Sequence, residues 1–163
     1  MQIVLTIFLE IVLGYILQML AFGVGMHAVA KQKISQKSLW IVALICALLT
    51  YVIRNSDLFN FGVHTMLMLL IINAASIYIA KINIRSSILG SIFMMILVLL
   101  SELVNFGVLS IFFDPDTITQ MLAKDLTKAA SAVPGNVVLL IAACAMYYFR
   151  VKRKVANKSN VFG

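Results

Sequence analysis

The chain has 163 residues, of which 63% are hydrophobic and only 12% are charged, and its formal net charge is +7. A soluble domain contains about 25% charged residues, so the composition excludes an ordinary soluble fold and predicts a single-domain integral membrane protein. The basic residues lie in short clusters beside apolar runs, without the interleaved aromatic residues of a nucleic-acid surface, so nucleic acid is not an expected partner.

The first apolar run, residues 2–24, is predicted to be a retained membrane helix. No positive charge precedes it and a basic cluster follows it, which is the reverse of a cleaved secretion signal. Glu10, Gly14 and Gln18 recur at intervals of four, so α-helical periodicity places them on one side of the helix. That side is expected to face protein rather than lipid.

Three further apolar runs follow, at residues 38–53, 62–80 and 87–113. The fourth run is long enough to cross a bilayer with some tilt at about 1.5 Å per residue. It carries a carboxylate, Glu102, near its middle, and Asn105 follows about one turn later. A carboxylate at that depth costs several kcal/mol unless it is protonated, paired or hydrated.

The end of the fourth run predicts a change of direction. Asp114 and Pro115 are typical of a helix start, and residues 117–132 are predicted to form an amphipathic helix on the membrane surface. Its apolar side would consist of Ile118, Met121, Leu122, Leu126 and Ala129. Pro134 and Gly135 are predicted to break that helix, and the last span is predicted at residues 130–149, with Pro134 in its outer turns.

The charge distribution predicts the orientation. If the N-terminus lies outside, the inner connectors and the tail contain ten of the 13 basic residues, a strong positive-inside bias. The predicted fold is an all-α polytopic membrane protein with five transmembrane helices, the N-terminus outside and the C-terminus inside, plus an outer amphipathic surface helix. The predicted transmembrane domain covers residues 1–150, a basic cytoplasmic tail covers residues 151–163, and the expected location is the bacterial cytoplasmic membrane.

This topology places five polar residues in the outer half of the membrane: Glu10, Arg54, His64, Glu102 and Asn105. One hypothesis is a ligand-binding or proton-sensitive layer in which Arg54 keeps a carboxylate ionised. A second is that the carboxylates only hydrogen-bond helices together. A third is that Arg54 and His64 extend to the lipid headgroups. The sequence leaves all three open.

No motif for catalysis or metal binding is present. The two cysteines, Cys46 and Cys144, lie inside apolar runs without metal or redox spacing, and two histidines are too few for a usual zinc site. We therefore expect no enzymatic activity, no cofactor and no metal.

The basic tail sets the orientation, and as an alternative role it would bind anionic lipid headgroups. The tail residues concerned are Arg150, Lys152, Arg153 and Lys154.

Two short motifs carry a resemblance to a known family. The stretch Tyr51-Val52-Ile53-Arg54 and, after a short loop, Phe61-Gly62-Val63-His64-Thr65 resemble the junction of the second and third helices in membrane sensor regions of some Firmicutes signalling proteins. Those regions precede histidine-kinase domains of the GHKL type, as in peptide quorum-sensing receptors. The layout is similar over about residues 1–150, including the basic connector and the glutamate in the fourth helix. No phosphoacceptor-histidine helix or ATP-binding domain occurs in the sequence, so the resemblance implies a sensor module without a kinase domain.

Three functions therefore stay open at this point. The first is a non-enzymatic sensor or regulatory module that binds a ligand or a partner membrane protein from the outer side. The second is a transport-related subunit with Glu10 and Glu102 on an ion or solute path. The third is a structural subunit of a membrane complex. The expected partners are membrane lipids, another membrane protein or a second copy of the chain, and a small-molecule or peptide ligand.

Overall fold

The structure, a computed structural model, describes residues 8–55, 63–123 and 125–152. All regular elements in this part of the chain are helices, which confirms the predicted all-α class. Four helical stretches are long and apolar enough to cross a membrane, and a fifth apolar helix, Thr65–Tyr78, is shorter. These features are compatible with a multi-pass membrane protein. The four long stretches are Glu10–Ala30, Gln36–Ile53, Ile84–Phe112 and Ala130–Val151.

Six helices follow one another in the described ranges. The first, α1, begins as a π-helix at Leu9–Ile16 and continues as an α-helix at Leu17–Ala30. The others are α2 (Gln36–Asn55), α3 (Val63–Tyr78), α4 (Ile84–Phe112), α5 (Pro115–Ala123) and α6 (Asp125–Tyr147), which ends in a π-helical turn at Tyr148–Lys152. Helices α2, α3 and α4 therefore begin and end within three residues of the predicted runs.

The last part of the chain agrees with the prediction in one respect and differs in another. The apolar stretch Ala130–Val151 agrees with the predicted last span, but Pro134 lies inside α6, which covers Asp125–Tyr147, and does not break a helix. A proline inside a helix removes one N–H and displaces the carbonyls of the preceding turn. The side-chain amide of Asn105 on α4 donates to one of these carbonyls, that of Ser131, at 2.8 Å. A neighbouring helix thus supplies a hydrogen bond beside the proline.

The predicted apolar side of the surface helix is supported where the structure describes it. Ile118 is buried and Met121 is partly buried. The side chains of Leu122, Leu126 and Ala129 lie outside the described part of the structure. The first span also differs from the prediction, because α1 continues past residue 24 to Ala30.

Helix α1 is the centre of the bundle, and close packing against α4 sets their register. A Cβ added at Gly25 would overlap Met94 Sδ, and one added at Gly90 would lie 3.3 Å from Met26 Cα. Small residues at such contacts let two helix backbones approach closely. The two contacts run in opposite chain directions, so α1 and α4 are antiparallel.

One end of the bundle, which we call the basic end, is held together by contacts between its connectors. The Ile34 N–H donates to the Tyr147 hydroxyl at 3.1 Å, and Gln32 Nε2 donates to the Ala80 carbonyl at 3.4 Å. The exposed basic residues at this end are Lys31, Lys33, Lys37, Lys81, Arg85 and Arg150. The opposite end contains the ends of α2 and α4 and the start of α3.

Candidate ligand-binding cavity

A cavity of about 400 Å³ lies between α1, α2, α3 and α4. Cavities of roughly 300–1,000 Å³ are typical of small-molecule binding sites. The lining residues are Tyr15, Gln18, Met19 and Phe22 from α1, Thr50 and Ile53 from α2, Thr65, Met68, Leu69 and Ile72 from α3, and Met95, Val98, Leu99 and Glu102 from α4. The cavity therefore occupies the half of the bundle away from the basic end.

The cavity exists because α3 contacts α1 near the basic end and is separated from it further along. Ser76 Oγ donates to Met26 Sδ at 3.3 Å, and both residues are buried. Helix α3 is also bound to α4 near the basic end, where Asn73 Oδ1 accepts from Ser87 Oγ at 2.7 Å and Asn73 Nδ2 donates to Ser91 Oγ at 2.9 Å. Toward the opposite end, the α3 residues that would contact α1 line the cavity instead.

The lining changes from apolar to polar along the bundle axis. Gly25 and Met94 are in contact, and the antiparallel register then places Glu102, about 12 Å further along α4, level with the stretch of α1 between Tyr15 and Gln18. The end of the cavity nearer the Gly25–Met94 contact is lined by Phe22 and Met95. The cavity therefore has one apolar end and one polar end.

Glu102 is the one charged side chain among the described residues that line the cavity. It is exposed, so it borders both the cavity and the surface of the bundle. Leu99, one turn earlier and also in the lining, is 58% exposed. The cavity therefore reaches the surface beside these two residues of α4.

Two lining residues make defined contacts within the protein. The Thr50 hydroxyl donates to the Cys46 carbonyl at 2.6 Å and lies 2.7 Å from Met68 Sδ. Tyr15 is buried, and its ring forms an edge-on pair with that of Tyr51 at a centroid distance of 6.4 Å. The walls of the cavity are thus held by contacts between α1, α2 and α3.

The structure separates two of the residues predicted for the outer polar layer. Glu102 lines the cavity, whereas Asn105 points to α6, where it bonds to the Ser131 carbonyl and lies against Gly135. Glu10 is partly buried in the π-helical part of α1 and is not among the described lining residues. The geometry thus places Glu102 in the candidate site and gives Asn105 a packing contact.

The side chains of Arg54 and His64 lie outside the described part of the structure. Their backbones are helical, at the end of α2 and the start of α3. Their neighbours Ile53 and Thr65 line the cavity, so both residues belong to helix ends that border it. A polar layer acting as one unit stays a prediction.

Sequence reasoning missed most of the cavity because its lining residues come from four helices, whose relative placement no single apolar run specifies. In addition, α1 is not a uniform α-helix. A π-helix has i→i+5 hydrogen bonds, so residues four apart no longer lie on the same side. Gln18 lines the cavity, while the carbonyls of Leu13 and Gly14 accept from Asn136 Nδ2 of α6 at 3.3 and 3.2 Å. No local sequence signal identifies this π-helix, since a different helix supplies its polar contact.

The remaining predicted groups are located as follows. Both cysteines are free thiols, but Cys46 is buried whereas Cys144 lies on the bundle surface. Within the described residues, no cluster of three or more potential metal ligands occurs. Arg150 is exposed, the side chain of Lys152 is not described, and Arg153 and Lys154 lie outside the described residues.

Comparison of the chain with known protein families, with curated proteins and with solved structures finds no match.

Proposed function

We propose that this chain is a five-span protein of the bacterial cytoplasmic membrane, with its N-terminus outside, that works as a non-enzymatic sensor or regulatory module. It binds a ligand in the cavity between α1 and α4, in the outer half of the membrane. The observation that carries the proposal is the cavity of about 400 Å³ with Glu102 as its one described charged lining residue. The resemblance to sensor regions of bacterial signalling proteins supports the same role, with the output passed to a partner protein.

The charge distribution supports the proposed topology. With α3 as a fifth span, the basic end carries the connectors rich in lysine and arginine and faces the cytoplasm. Helix α3, Val63–Tyr78, is about 24 Å long at 1.5 Å per residue, and a short span is accommodated by local bilayer thinning or by flanking residues that reach the headgroups. In this topology the cavity opens in the outer half of the membrane.

The packing between the cavity and the basic end favours ligand binding over solute transport. Toward the basic end, the described residues close the bundle at Gly25 against Met94, at Ser76 against Met26 and at Asn73 against Ser87. A solute path would need continuous space through this layer. The described residues of this layer are instead in direct contact with one another.

The proposal is tested by filling the cavity. Met95→Trp enlarges a lining side chain, whereas the matched control Met66→Trp changes a methionine that is 71% exposed and outside the lining. With decanol as a neutral probe in nanodiscs, the unmodified protein and the control should be stabilised against thermal unfolding, by about 2.7 kcal/mol at a ligand concentration of roughly 100 times Kd. Met95→Trp should lose this stabilisation. Equal stabilisation of both variants, or none of the unmodified protein, would refute binding in the cavity.

A further inference from the structure

We infer that the ligand of this cavity is a small cationic amphiphile that enters from the surrounding lipid beside Leu99 and pairs its charge with Glu102. This inference rests on the proposed function, because it names the chemical class of the ligand for the same site.

The charge of the ligand follows from the polar end of the cavity. Glu102 is the one charged side chain among the described lining residues, and pairing with an opposite charge is one of the ways in which a carboxylate at this depth is stabilised. The register places the Tyr15 ring at the same level, paired edge-on with Tyr51 at 6.4 Å. Aromatic faces attract alkylammonium groups. A carboxylate and an aromatic ring at one level favour an amine or quaternary ammonium head.

The tail of the ligand follows from the other end of the cavity. Phe22, Ile72 and Met95 provide an apolar wall, and Met19 and Met68 add thioether side chains beside it. Methionine is flexible and adapts its shape to different apolar partners. An unbranched alkyl chain fits this lining better than a rigid polar group.

The size of the ligand follows from the volume. A cavity of about 400 Å³ corresponds to roughly 13 water-sized volumes at ~30 Å³ each. A ligand with about a dozen non-hydrogen atoms matches this space. Decyltrimethylammonium, with a linear chain and a compact cationic head, is a suitable probe.

The route by which the ligand enters follows from the exposed side chains of α4. Leu99 is 58% exposed and Glu102 is also exposed, and both line the cavity. The neighbouring Ile96 and Leu103 are 51% and 68% exposed, so the opening lies within an apolar surface that contacts lipid in a membrane-spanning helix. An amphiphile already dissolved in the bilayer therefore reaches the cavity sideways.

The test compares three probes of equal chain length in nanodiscs of zwitterionic lipid: decyltrimethylammonium, decanol and decanoate. Binding is measured by native mass spectrometry and by the thermal unfolding midpoint, at equal mole fractions in the bilayer. The unmodified protein should prefer the cation over decanol by about tenfold, which corresponds to about 1.4 kcal/mol. Glu102→Gln should reduce the preference to less than about twofold and still bind decanol. Asp116→Asn, which removes an exposed carboxylate outside the lining, should keep the preference for the cation.

The lateral entry of the ligand is tested with a second pair of variants. Leu99→Trp should weaken binding of both decanol and the cation, whereas Leu103→Trp, one turn further along and outside the lining, should not. An unchanged preference in Glu102→Gln, equal binding of cation and alcohol by the unmodified protein, or preference for decanoate would overturn the cationic ligand while leaving the cavity as a binding site. Equal effects of the two tryptophan variants would overturn the lateral route. Failure of all three probes to bind would refute the proposed function itself.

Discussion

Substitution of Gly25 by alanine tests the contact that sets the register of the cavity walls. The added Cβ would overlap Met94 Sδ and lie 2.9 Å from Met94 Cγ and Cε, so the thioether must shift. Because Met94 is fully buried, we expect an overpacking cost of about 1–3 kcal/mol. Alanine also gains up to about 1 kcal/mol of helix propensity over glycine. Gly25→Ala should therefore be destabilising by about 0–3 kcal/mol.

Gly107→Ala is the matched control, because a Cβ there would meet no atom within 4 Å. Both substitutions exchange glycine for alanine inside a helix, so the propensity gain cancels in the comparison. The two variants should differ in stability by about 1–3 kcal/mol. Unfolding in mixed micelles, followed by circular dichroism as denaturing detergent is added, measures this difference.

A second variant tests whether Met94 is the residue that makes Gly25→Ala destabilising. In a Met94→Ala background the clash is absent, so Gly25→Ala should become neutral or stabilising, although Met94→Ala alone costs about 2–5 kcal/mol. A double-mutant cycle then isolates the coupling between the two positions. If Gly25→Ala stabilises the protein as much as Gly107→Ala does, the close approach of α1 and α4 is wrong, and the placement of Glu102 level with Tyr15 and Gln18 is wrong with it.

Three further predictions concern topology, helix packing and the polar layer. In a background without native cysteines, Thr119→Cys should react with a membrane-impermeant thiol reagent from outside, and Lys33→Cys should not. Asn105→Ala should lower stability by roughly 1–2 kcal/mol in the same unfolding assay, because the hydrogen bond from Asn105 to the Ser131 carbonyl is lost. Glu102→Gln should remove the response to decyltrimethylammonium, whereas Glu10→Gln, which changes a carboxylate outside the described lining, should keep most of it.

Each of these predictions has an outcome that would contradict it. Labelling of Lys33→Cys from outside would reverse the proposed orientation. Ser110→Ala is the control for Asn105→Ala, since Ser110 is exposed and its hydroxyl bonds only to the Phe106 carbonyl of its own helix in the described structure. Equal stabilities of these two variants would remove the packing role of Asn105. Equal losses for Glu102→Gln and Glu10→Gln would favour a polar layer that acts as one unit.

The helical class and most of the helix positions follow from local patterns in the amino-acid sequence. Apolar run length and clustered charge are local properties, so α2, α3 and α4 appear close to the predicted residues. The sequence also indicated that Glu102 is exceptional, because a carboxylate inside a long apolar run is costly wherever the neighbouring helices lie.

The tertiary structure determines which residues are in contact. Asn105 and Glu102 are close in sequence, yet one bonds to α6 and the other lines the cavity. Helix α6 continues through Pro134, and in the turn before the proline the Ser131 carbonyl accepts a hydrogen bond from Asn105 of α4. The π-helix of α1 has carbonyls that accept from Asn136, more than a hundred residues away in the chain. These features depend on hydrogen bonds and packing supplied by other helices, and for that reason periodicity within a single run does not predict them.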